Sequence, residues 1–143
     1  MIKNVPIIGR FKDGDVIVTE GIISNNAYIV LSGEVRVLKK IDDKQVIIGR
    51  LKKGDVFGEM GLISNTHRSA SVIAVGEVNI GIIDKESFII MLNDIPNDLR
   101  CIIDALVERL KVTTKKLANI GIQLEKAKKT INAFSLQTIE REE

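Results

Sequence analysis

A mainly β domain followed by a long C-terminal helix is the fold class that the sequence predicts. Short β-branched segments separated by glycine turns occupy residues 1 to about 90, the composition changes at Asp84, and a heptad repeat follows. The chain has 143 residues, of which 45% are hydrophobic but only 3% aromatic, and it has no tryptophan. Its core must therefore be built from Ile, Val and Leu, and β-branched residues favour strands. Many short strands between regular turns are typical of a small sandwich or barrel.

The expected strands follow one another with short connections. In chain order they cover residues 16–18, 27–31, 34–39, 45–49, 71–75 and 78–83. Residues 34–39 alternate polar and apolar side chains, which indicates one exposed face. Residues 41–44 are expected to form a hairpin loop to the next strand, and Gly76 and Glu77 to join the last two strands as a second hairpin.

A weak internal repeat links two of the turns. Residues 11–16 (FKDGDV) resemble residues 51–56 (LKKGDV), and each copy places an apolar residue before a Gly-Asp turn that starts a strand. A roll with two similar halves would use the same turn twice. Gly-Asp turns are also common in any β protein, so the repeat leaves both interpretations open.

The chain changes from strand to helix at Asp84. Asp84 is expected to cap a short helix that runs to Leu92, and residues 93–98 interrupt it. A long helix then begins near Asn97 or Asp98. We therefore divide the chain into a β domain with its short helix, residues 1–92, and a helical part, residues 93–143. Gly121 either ends or bends the long helix or is passed through, since glycine costs about 1 kcal/mol in a helix interior.

Apolar residues of the long helix recur at alternating steps of four and three. This seam consists of Leu99, Ile103, Leu106, Leu110, Thr113, Leu117, Ile120, Leu124, Ala127, Ile131 and Phe134. A narrow seam over so many turns predicts a coiled coil, and we expect a parallel homodimer. The alternative is an amphipathic helix that packs on its own β domain. Ile102 and Val107 add apolar positions outside the seam. The first third of the helix could therefore pack on the β domain with one side and on a partner helix with the other.

Charge, cysteine content and hydropathy exclude several classes of function. The net charge of +2 is too small to imply nucleic acid by itself, and the single Cys101 excludes an internal disulfide. Residues 1–6 lack the pattern of a signal peptide, and no apolar run is long enough to span a membrane. We therefore expect a cytoplasmic protein. Ser64 and Ser69 lack a His/Asp constellation and His67 is the one histidine, so neither catalysis nor a metal site is predicted.

Residues 56–72 (VFGEMGLISNTHRSASV) contain the strongest candidate site. Gly58 breaks a strand, and an acid, Glu59, and a base, Arg68, follow around a short turn between small residues. An arginine pairs bidentately with an anion, and an ionised Glu only accepts hydrogen bonds, which suits a hydroxyl. The segment therefore predicts a pocket for a small anion that also carries hydroxyls. The alternative is a surface salt bridge between Glu59 and Arg68 without a ligand.

With these parts in place, residues 9 to 120 resemble the cyclic-nucleotide-binding domain family. The glycine pattern agrees, as does Tyr28 before Gly33; these glycines are Gly14, Gly21, Gly33, Gly54 and Gly58. Residues 57–62 and 68–70 are similar to the phosphate-binding cassette of that family, with the Glu-to-Arg spacing of protein-kinase regulatory subunits. Residues 108–117 are instead similar to the dimer helix of bacterial catabolite-activator-type regulators. The resemblance implies a β-roll, of the jelly-roll type, that binds cAMP.

The resemblance also implies a role for each candidate residue. Arg68 and the backbone N–H groups of Ser69, Ala70 and the turn at Gly58 and Met60 would hold the cyclic phosphate. Glu59 would accept a hydrogen bond from the ribose 2′-hydroxyl. Arg109 would approach Glu59 from the helix, while Thr113 and Thr114 would meet the purine edge, one from each subunit. Cyclic GMP and other anionic ligands stay open at this point.

The leading functional hypothesis is a regulatory module that binds cAMP and dimerises through its long helix. The activator-type regulators carry a helix-turn-helix after this helix, and residues 121–143 are too few to form one, so we expect no specific DNA binding by this chain. One alternative is a roll without ligand that acts as a dimerising scaffold. Another is the ligand-sensing fragment of a longer transcription regulator. An enzyme is the class that the sequence favours least.

Overall fold

In a computed structural model, residues 7–142 are described, with side chains described to residue 135. Residues 1–6, considered above for a signal peptide, and Glu143 lie outside this range. The strands are β1 (Ile7–Phe11), β2 (Val16–Val18), β3 (Asn26–Ile41), β4 (Lys44–Lys52), β5 (Val56–Phe57) and β6 (Ser71–Asp84). The helices are α1 (Met60–Ile63), α2 (Lys85–Asn93) and α3 (Asn97–Glu142). The chain forms two compact units, one that ends at Arg100 and one that starts at Cys101.

Two long strands, β3 and β6, organise the first unit. They pair antiparallel with each other, and each also pairs with two shorter strands along different parts of its length. One set of pairs joins β1, β6, β3 and β5, and the other joins β2, β6, β3 and β4. Buried residues from both sets form one hydrophobic cluster, with Val30, Val35, Val78 and Ile80 at its centre. The fold class predicted from the sequence, a β-roll followed by a long helix, is thereby confirmed.

Register shifts between β3 and β6 occur where we expected two strand ends. We expected one strand to end at Ser32-Gly33 and a hairpin at Gly76-Glu77, and both expectations are wrong. β3 and β6 run through these positions, with register shifts between Val30 and Glu34. A Cβ atom on Gly33 would lie 2.5 Å from the carbonyl oxygen of Glu77, and Gly33 has φ +88°. Glycine is needed there because its φ is positive and the β6 backbone is too close for a Cβ atom.

The two copies of the sequence repeat have the same turn geometry. The amide of Asp15 donates to the carbonyl of Lys12 at 3.0 Å, and the Asp15 carboxylate accepts from the Lys12 amide at 2.8 Å. At the second copy, the corresponding distances between Asp55 and Lys52 are 2.9 and 2.8 Å. The first turn leads into β2 and the second into β5, which belong to different strand sets. This geometry supports the interpretation of a roll with two similar halves.

Both main helices begin where the sequence predicts. Asp84 is the N-cap of α2, and its carboxylate accepts from the amide of Ser87 at 2.7 Å. Hydrogen bonds from the backbone amide and from the side chain of Ser87 lower the pKa of Asp84 below its ordinary value. α3 begins at Asn97 and continues through Gly121, so this glycine neither ends nor interrupts it. Among residues 7–142, the helices lack the combination of length and apolar character that a bilayer-spanning segment requires.

Replacing Asp84 by Ala is expected to lower the melting temperature at neutral pH, because the α2 amides lose their carboxylate cap. The folded pKa lies below the ordinary value of 3.8, so this stabilisation is present above that pH and disappears as pH falls through the folded pKa. Thermal melts followed by circular dichroism at pH 7 and below about pH 3 measure the difference. Asp94→Ala, at the other end of α2, removes the same charge and is the matched control. Equal losses for the two variants would contradict the cap.

Candidate functional site

The candidate site lies where β5 ends and β6 begins. β5 stops at Phe57, Gly58 turns the chain with φ +71°, and the single turn of α1 follows. Residues 64–70 then form a connection without helix or strand that leads to Ser71, the first residue of β6. This agrees with the predicted order of strand, glycine break, short coil and strand. Glu59, Arg68, Ser69 and Ala70 all lie in the connection between β5 and β6.

Arg68 is the one charged side chain classed as buried among the described residues, with 8% of its surface exposed. Its Nη1 donates to the carbonyl oxygen of Gly58 at 2.7 Å, and its Nη2 donates to that of Asn26 at 2.5 Å. Its Nε is buried without a hydrogen-bond partner. Within residues 7–135 the guanidinium therefore has two neutral acceptors and no carboxylate. The predicted alternative, a salt bridge between Glu59 and Arg68, is absent from this arrangement.

Two glycines provide the space for the Arg68 guanidinium. A Cβ atom on Gly58 would lie 2.9 Å from Nη1, and one on Gly61 would lie 2.8 Å from Nη2. The same atom on Gly61 would lie 2.5 Å from the carbonyl oxygen of Ser24. Real Cβ atoms do not approach other atoms so closely, so larger residues at either position would displace the arginine or the backbone.

An aromatic pair supports the guanidinium from the core side. Tyr28 and Phe57 are directly opposite each other on β3 and β5, and their rings stack with centroids 5.0 Å apart. The Arg68 guanidinium carbon lies 5.9 Å from the Tyr28 ring centroid, within the range of a cation–π contact. Sequence analysis noted Tyr28 only as part of a family pattern. Its contact with Arg68 depends on β3–β5 pairing, which no local signal in the sequence predicts.

The backbone of Arg68 is also fixed. Its amide donates to the carbonyl of Ile22 at 2.9 Å, and its carbonyl accepts from the amide of Gly21 at 2.8 Å. Ile23 and His67 add a short antiparallel bridge. The connection after α1 is therefore paired with the chain segment between β2 and β3, which sequence analysis did not assign to the site.

The remaining candidates on the roll are more accessible. Glu59 is exposed at the N-cap of α1, and its side chain makes no capping hydrogen bond. Ser69 is exposed, and Met60 and Ala70 are partly buried. The carbonyl oxygen of Ser69 accepts a hydrogen bond from Lys39 at 2.7 Å. An acidic acceptor and a loop of small residues thus accompany the buried cation.

The other three candidates belong to the second unit. Arg109, Thr113 and Thr114 are exposed on α3. The Thr113 hydroxyl donates to the carbonyl oxygen of Arg109 at 2.7 Å, so its proton is used within the helix. Its oxygen still has lone pairs that can accept a hydrogen bond. The described residues contain no cluster of three or more His, Cys, Asp or Glu side chains that could hold a metal ion.

Comparison with known proteins identifies the type of domain. A family model of the cyclic nucleotide-binding domain matches residues 8–94, more than half of the chain. No curated protein matches the sequence. The half-site-occupied form of the EAL enzyme Bd1971 is 27% identical with a TM-score of 0.73, covering 77% of this chain and 99% of that chain. The family resemblance stated from the sequence is thereby confirmed.

Ligand-bound structures are also similar. The cAMP-bound form of Bd1971 is 28% identical with a TM-score of 0.59, covering 83% of this chain and 32% of that chain. Its cGMP-bound form is 28% identical with a TM-score of 0.60, covering 77% and 30%. The regulatory domain of Toxoplasma gondii PKA with cAMP is 27% identical with a TM-score of 0.57, covering 66% and 35%. The present chain thus spans about a third of the length of these three chains.

A bacterial regulator shows the same fold. The catabolite activator protein of Thermus thermophilus is 24% identical with a TM-score of 0.63, covering 81% of this chain and 55% of that chain. At this level of identity the likeness establishes the fold alone.

Gly61→Ala is expected to destabilise the roll by about 1–3 kcal/mol, because the new methyl group meets the Ser24 carbonyl and the Arg68 guanidinium. Urea unfolding followed by circular dichroism measures this free energy. Gly49→Ala on β4 is the matched control, since its Cβ would meet only Val37 atoms at 3.9 Å. A destabilisation of Gly61→Ala no larger than that of the control would mean that the site tolerates a side chain there.

Proposed function

The chain belongs to the cyclic nucleotide-binding domain family, and on that premise we propose that it is a regulatory module that binds a cyclic nucleotide, with cAMP as the first candidate. In this proposal residues 1–92 form the ligand-binding part and residues 93–143 form a dimerisation helix.

The uncompensated charge of Arg68 carries the proposal. A guanidinium stays protonated in proteins, and its burial is costly unless an opposite charge accompanies it. Here two of its five N–H groups bond to neutral carbonyl oxygens, and Nε is buried without a partner. A cyclic phosphodiester carries one negative charge and several acceptor oxygens. Such a ligand would supply the counter-charge that residues 7–135 do not provide, and acceptors for the N–H groups of Arg68 that the two carbonyl oxygens leave unbonded.

The neighbouring groups suit the rest of a cyclic nucleotide. The exposed Glu59 carboxylate only accepts hydrogen bonds, which fits the ribose 2′-hydroxyl as donor. Backbone N–H groups of Ser69, Ala70 and the turn at Gly58 and Met60 add donors for the phosphate oxygens. In this assignment the phosphate is bound by Arg68 and backbone, and the sugar by Glu59.

Thr113 favours adenine over guanine as the base. Because its hydroxyl proton is donated to the Arg109 carbonyl, its oxygen is available to accept. The 6-position of adenine carries an amino donor, whereas that of guanine carries an acceptor oxygen. We therefore assign Thr113 and Thr114 to the adenine edge, one from each subunit, and Arg109 to Glu59. Bd1971 has both cAMP-bound and cGMP-bound forms, so the choice between the ligands needs a direct test.

The seam of α3 supports a homodimer. Leu110, Leu117 and Leu124 are 44, 64 and 66% exposed, although they are large apolar residues on one helix face. Leu99, Ile103, Leu106 and Ile120 extend the same seam. Apolar residues at heptad spacing are typically buried against a second helix. A second copy is the partner we propose, in the parallel arrangement that places Thr113 near its counterpart.

The output of the module follows from the same parts. A ligand shifts the helix arrangement only by its different affinities for two states of the protein. We propose a signalling role in the cytoplasm that is carried by this helix geometry, with neither catalysis nor specific DNA binding by residues 1–143. A roll that has lost its ligand and acts as a scaffold is the competing function.

Isothermal titration with cAMP and with cGMP is expected to show binding of cAMP at sub-millimolar concentration, and weaker binding of cGMP. Arg68→Ala is expected to weaken cAMP binding by about 2–5 kcal/mol, because the phosphate loses its charged partner. Arg68→Lys keeps the charge but loses the planar pair of donors. Its affinity for cAMP is therefore expected to lie between those of the wild type and Arg68→Ala.

Arg10→Ala serves as the control for this titration, since Arg10 is an exposed cation on β1. Its affinity is expected to equal that of the wild type. If the wild type binds neither nucleotide, the regulatory function fails and the scaffold is favoured. If Arg68→Ala binds as tightly as Arg10→Ala, the assignment of the phosphate site is wrong.

Leu110→Asp is expected to convert dimers into monomers, because a carboxylate in the seam would lose its hydration on association. Light scattering coupled to size-exclusion chromatography measures the mass. Asn119→Asp, which adds the same charge outside the seam, is expected to stay dimeric. Dimers that persist in Leu110→Asp would show that another surface joins the subunits.

A further inference from the structure

Lys39 contacts the candidate site from a strand that sequence analysis did not connect with it. Its Nζ donates to the carbonyl oxygen of Ser69 at 2.7 Å. Ser69 follows Arg68 directly, whereas Lys39 is on β3, 30 positions away in sequence. Lys39 belongs neither to the ligand contacts proposed above nor to the hydrophobic core.

Glu20 connects Lys39 to the surrounding strands. Its Oε1 lies 3.6 Å from the Lys39 Nζ, and its Oε2 accepts from the amide of Lys40 at 3.0 Å. The amide of Glu20 donates to the Ser71 hydroxyl at 2.9 Å. Glu20 therefore touches both β3 and the beginning of β6. We call Lys39, Glu20 and their contacts to Ser69 and Ser71 the Lys39–Glu20 clasp.

The clasp contacts Ser69 and Ser71, which follow Arg68 in the chain. The backbone of Arg68 is itself bonded to Gly21 and Ile22. Gly21 and Ile22 form hydrogen bonds of 2.8 and 2.9 Å with Arg68, and Glu20 precedes them in sequence. Residues 68–71 are thus fixed at Arg68 by backbone bonds, at Ser69 by Lys39 and at Ser71 by Glu20.

The bond to Ser69 sets the direction of the following amide. The carbonyl of Ser69 and the N–H of Ala70 belong to one planar trans peptide, so they point in opposite directions. Because the carbonyl is directed to Lys39, the Ala70 N–H is directed away from it. A charge-assisted hydrogen bond to the carbonyl also polarises the peptide and strengthens the N–H as a donor.

We propose that Lys39 and Glu20 are positioning residues of the anion site, which orient the Ser69–Ala70 peptide so that its N–H is held ready for the ligand phosphate. The proposal rests on the proposed function, since it assumes that this peptide faces the phosphate. Neither side chain needs to touch the ligand. Lys39 acts through the Ser69 carbonyl, and Glu20 acts through Lys39 and Ser71.

The positioning role makes a different prediction from a stabilising ion pair. The side chains of Lys39 and Glu20 are 42 and 26% exposed, and ion pairs so accessible to solvent contribute little to stability. Removing Lys39 is therefore expected to leave the melting temperature nearly unchanged. Ligand affinity is expected to fall, because a freely rotating peptide must be ordered again on binding.

The experiment compares cAMP binding by four single variants. Lys39→Met removes the donor with little change in shape and is expected to bind about five- to tenfold more weakly. Lys40→Met removes the same charge at the next residue, whose ammonium lies 3.7 Å from Asp43, and is expected to bind within about twofold of the wild type. Lys39→Arg keeps a charged donor and is expected to retain most of the affinity. Glu20→Gln is expected to lose about two- to threefold.

The amide resonance of Ala70 in the ligand-free protein gives an independent measure. Lys39→Met is expected to shift the Ala70 resonance, and Lys40→Met is expected to leave it unchanged. This measurement does not require that the protein binds a nucleotide. Failure of the wild type to bind either nucleotide would defeat the proposed function alone, and this resonance would still test the clasp. An unchanged resonance, unchanged affinity of Lys39→Met, or equal affinity losses in Lys39→Met and Lys40→Met would each overturn the positioning role.

Discussion

A buried guanidinium that has only neutral acceptors among the described residues is the feature around which the β-roll is arranged. Arg68 is held between the carbonyl oxygens of Gly58 and Asn26, against the face of Tyr28. Gly58 and Gly61 are small because larger residues would collide with it. Such an arrangement costs stability by itself, since the charge has left water without a counter-ion. An anion bound at the proposed site would supply that counter-ion.

The roll supplies the rigidity that this arrangement needs. β3 and β6 pair with each other along most of their length and have different other partners in the two strand sets, and the pairing of β3 with β5 places Tyr28 opposite Phe57. The loop that carries Arg68 has neither helix nor strand, but several hydrogen bonds fix it. It is paired with residues 21–23 on one side, and Lys39 holds its next carbonyl on the other. A loop fixed at successive residues keeps its backbone donors in place without depending on a ligand.

The helical unit differs from the roll because most of its large apolar residues are exposed. A seam of apolar residues at heptad spacing runs along it, and most of the large members are exposed, while Ile102, Val112 and Ile122 are exposed apolar residues outside the seam. Most helical stability in proteins comes from packing of such a face, and the partner helix proposed above would bury it. Thr113 is a polar member of the seam with its proton already used within the helix. A role in recognising the base would account for a residue that weakens the packing of the seam.

Features with local causes could be read directly from the residues. The Asp84 cap, the start of α3, the twin Gly-Asp turns, the heptad seam and the glycine break before Glu59 each depend on neighbours within a few positions. The hydrogen bonds of Arg68 to Gly58 and Asn26 span 10 and 42 positions, and the Lys39 contact with Ser69 spans 30. The irregular pairing of β3 with a continuous β6 likewise replaces an expected hairpin, because a glycine permits a hairpin or a bulge and only long-range pairing selects between them. Local chemistry thus specifies which groups are available to a ligand, while the folding of distant strands against one another specifies where those groups point.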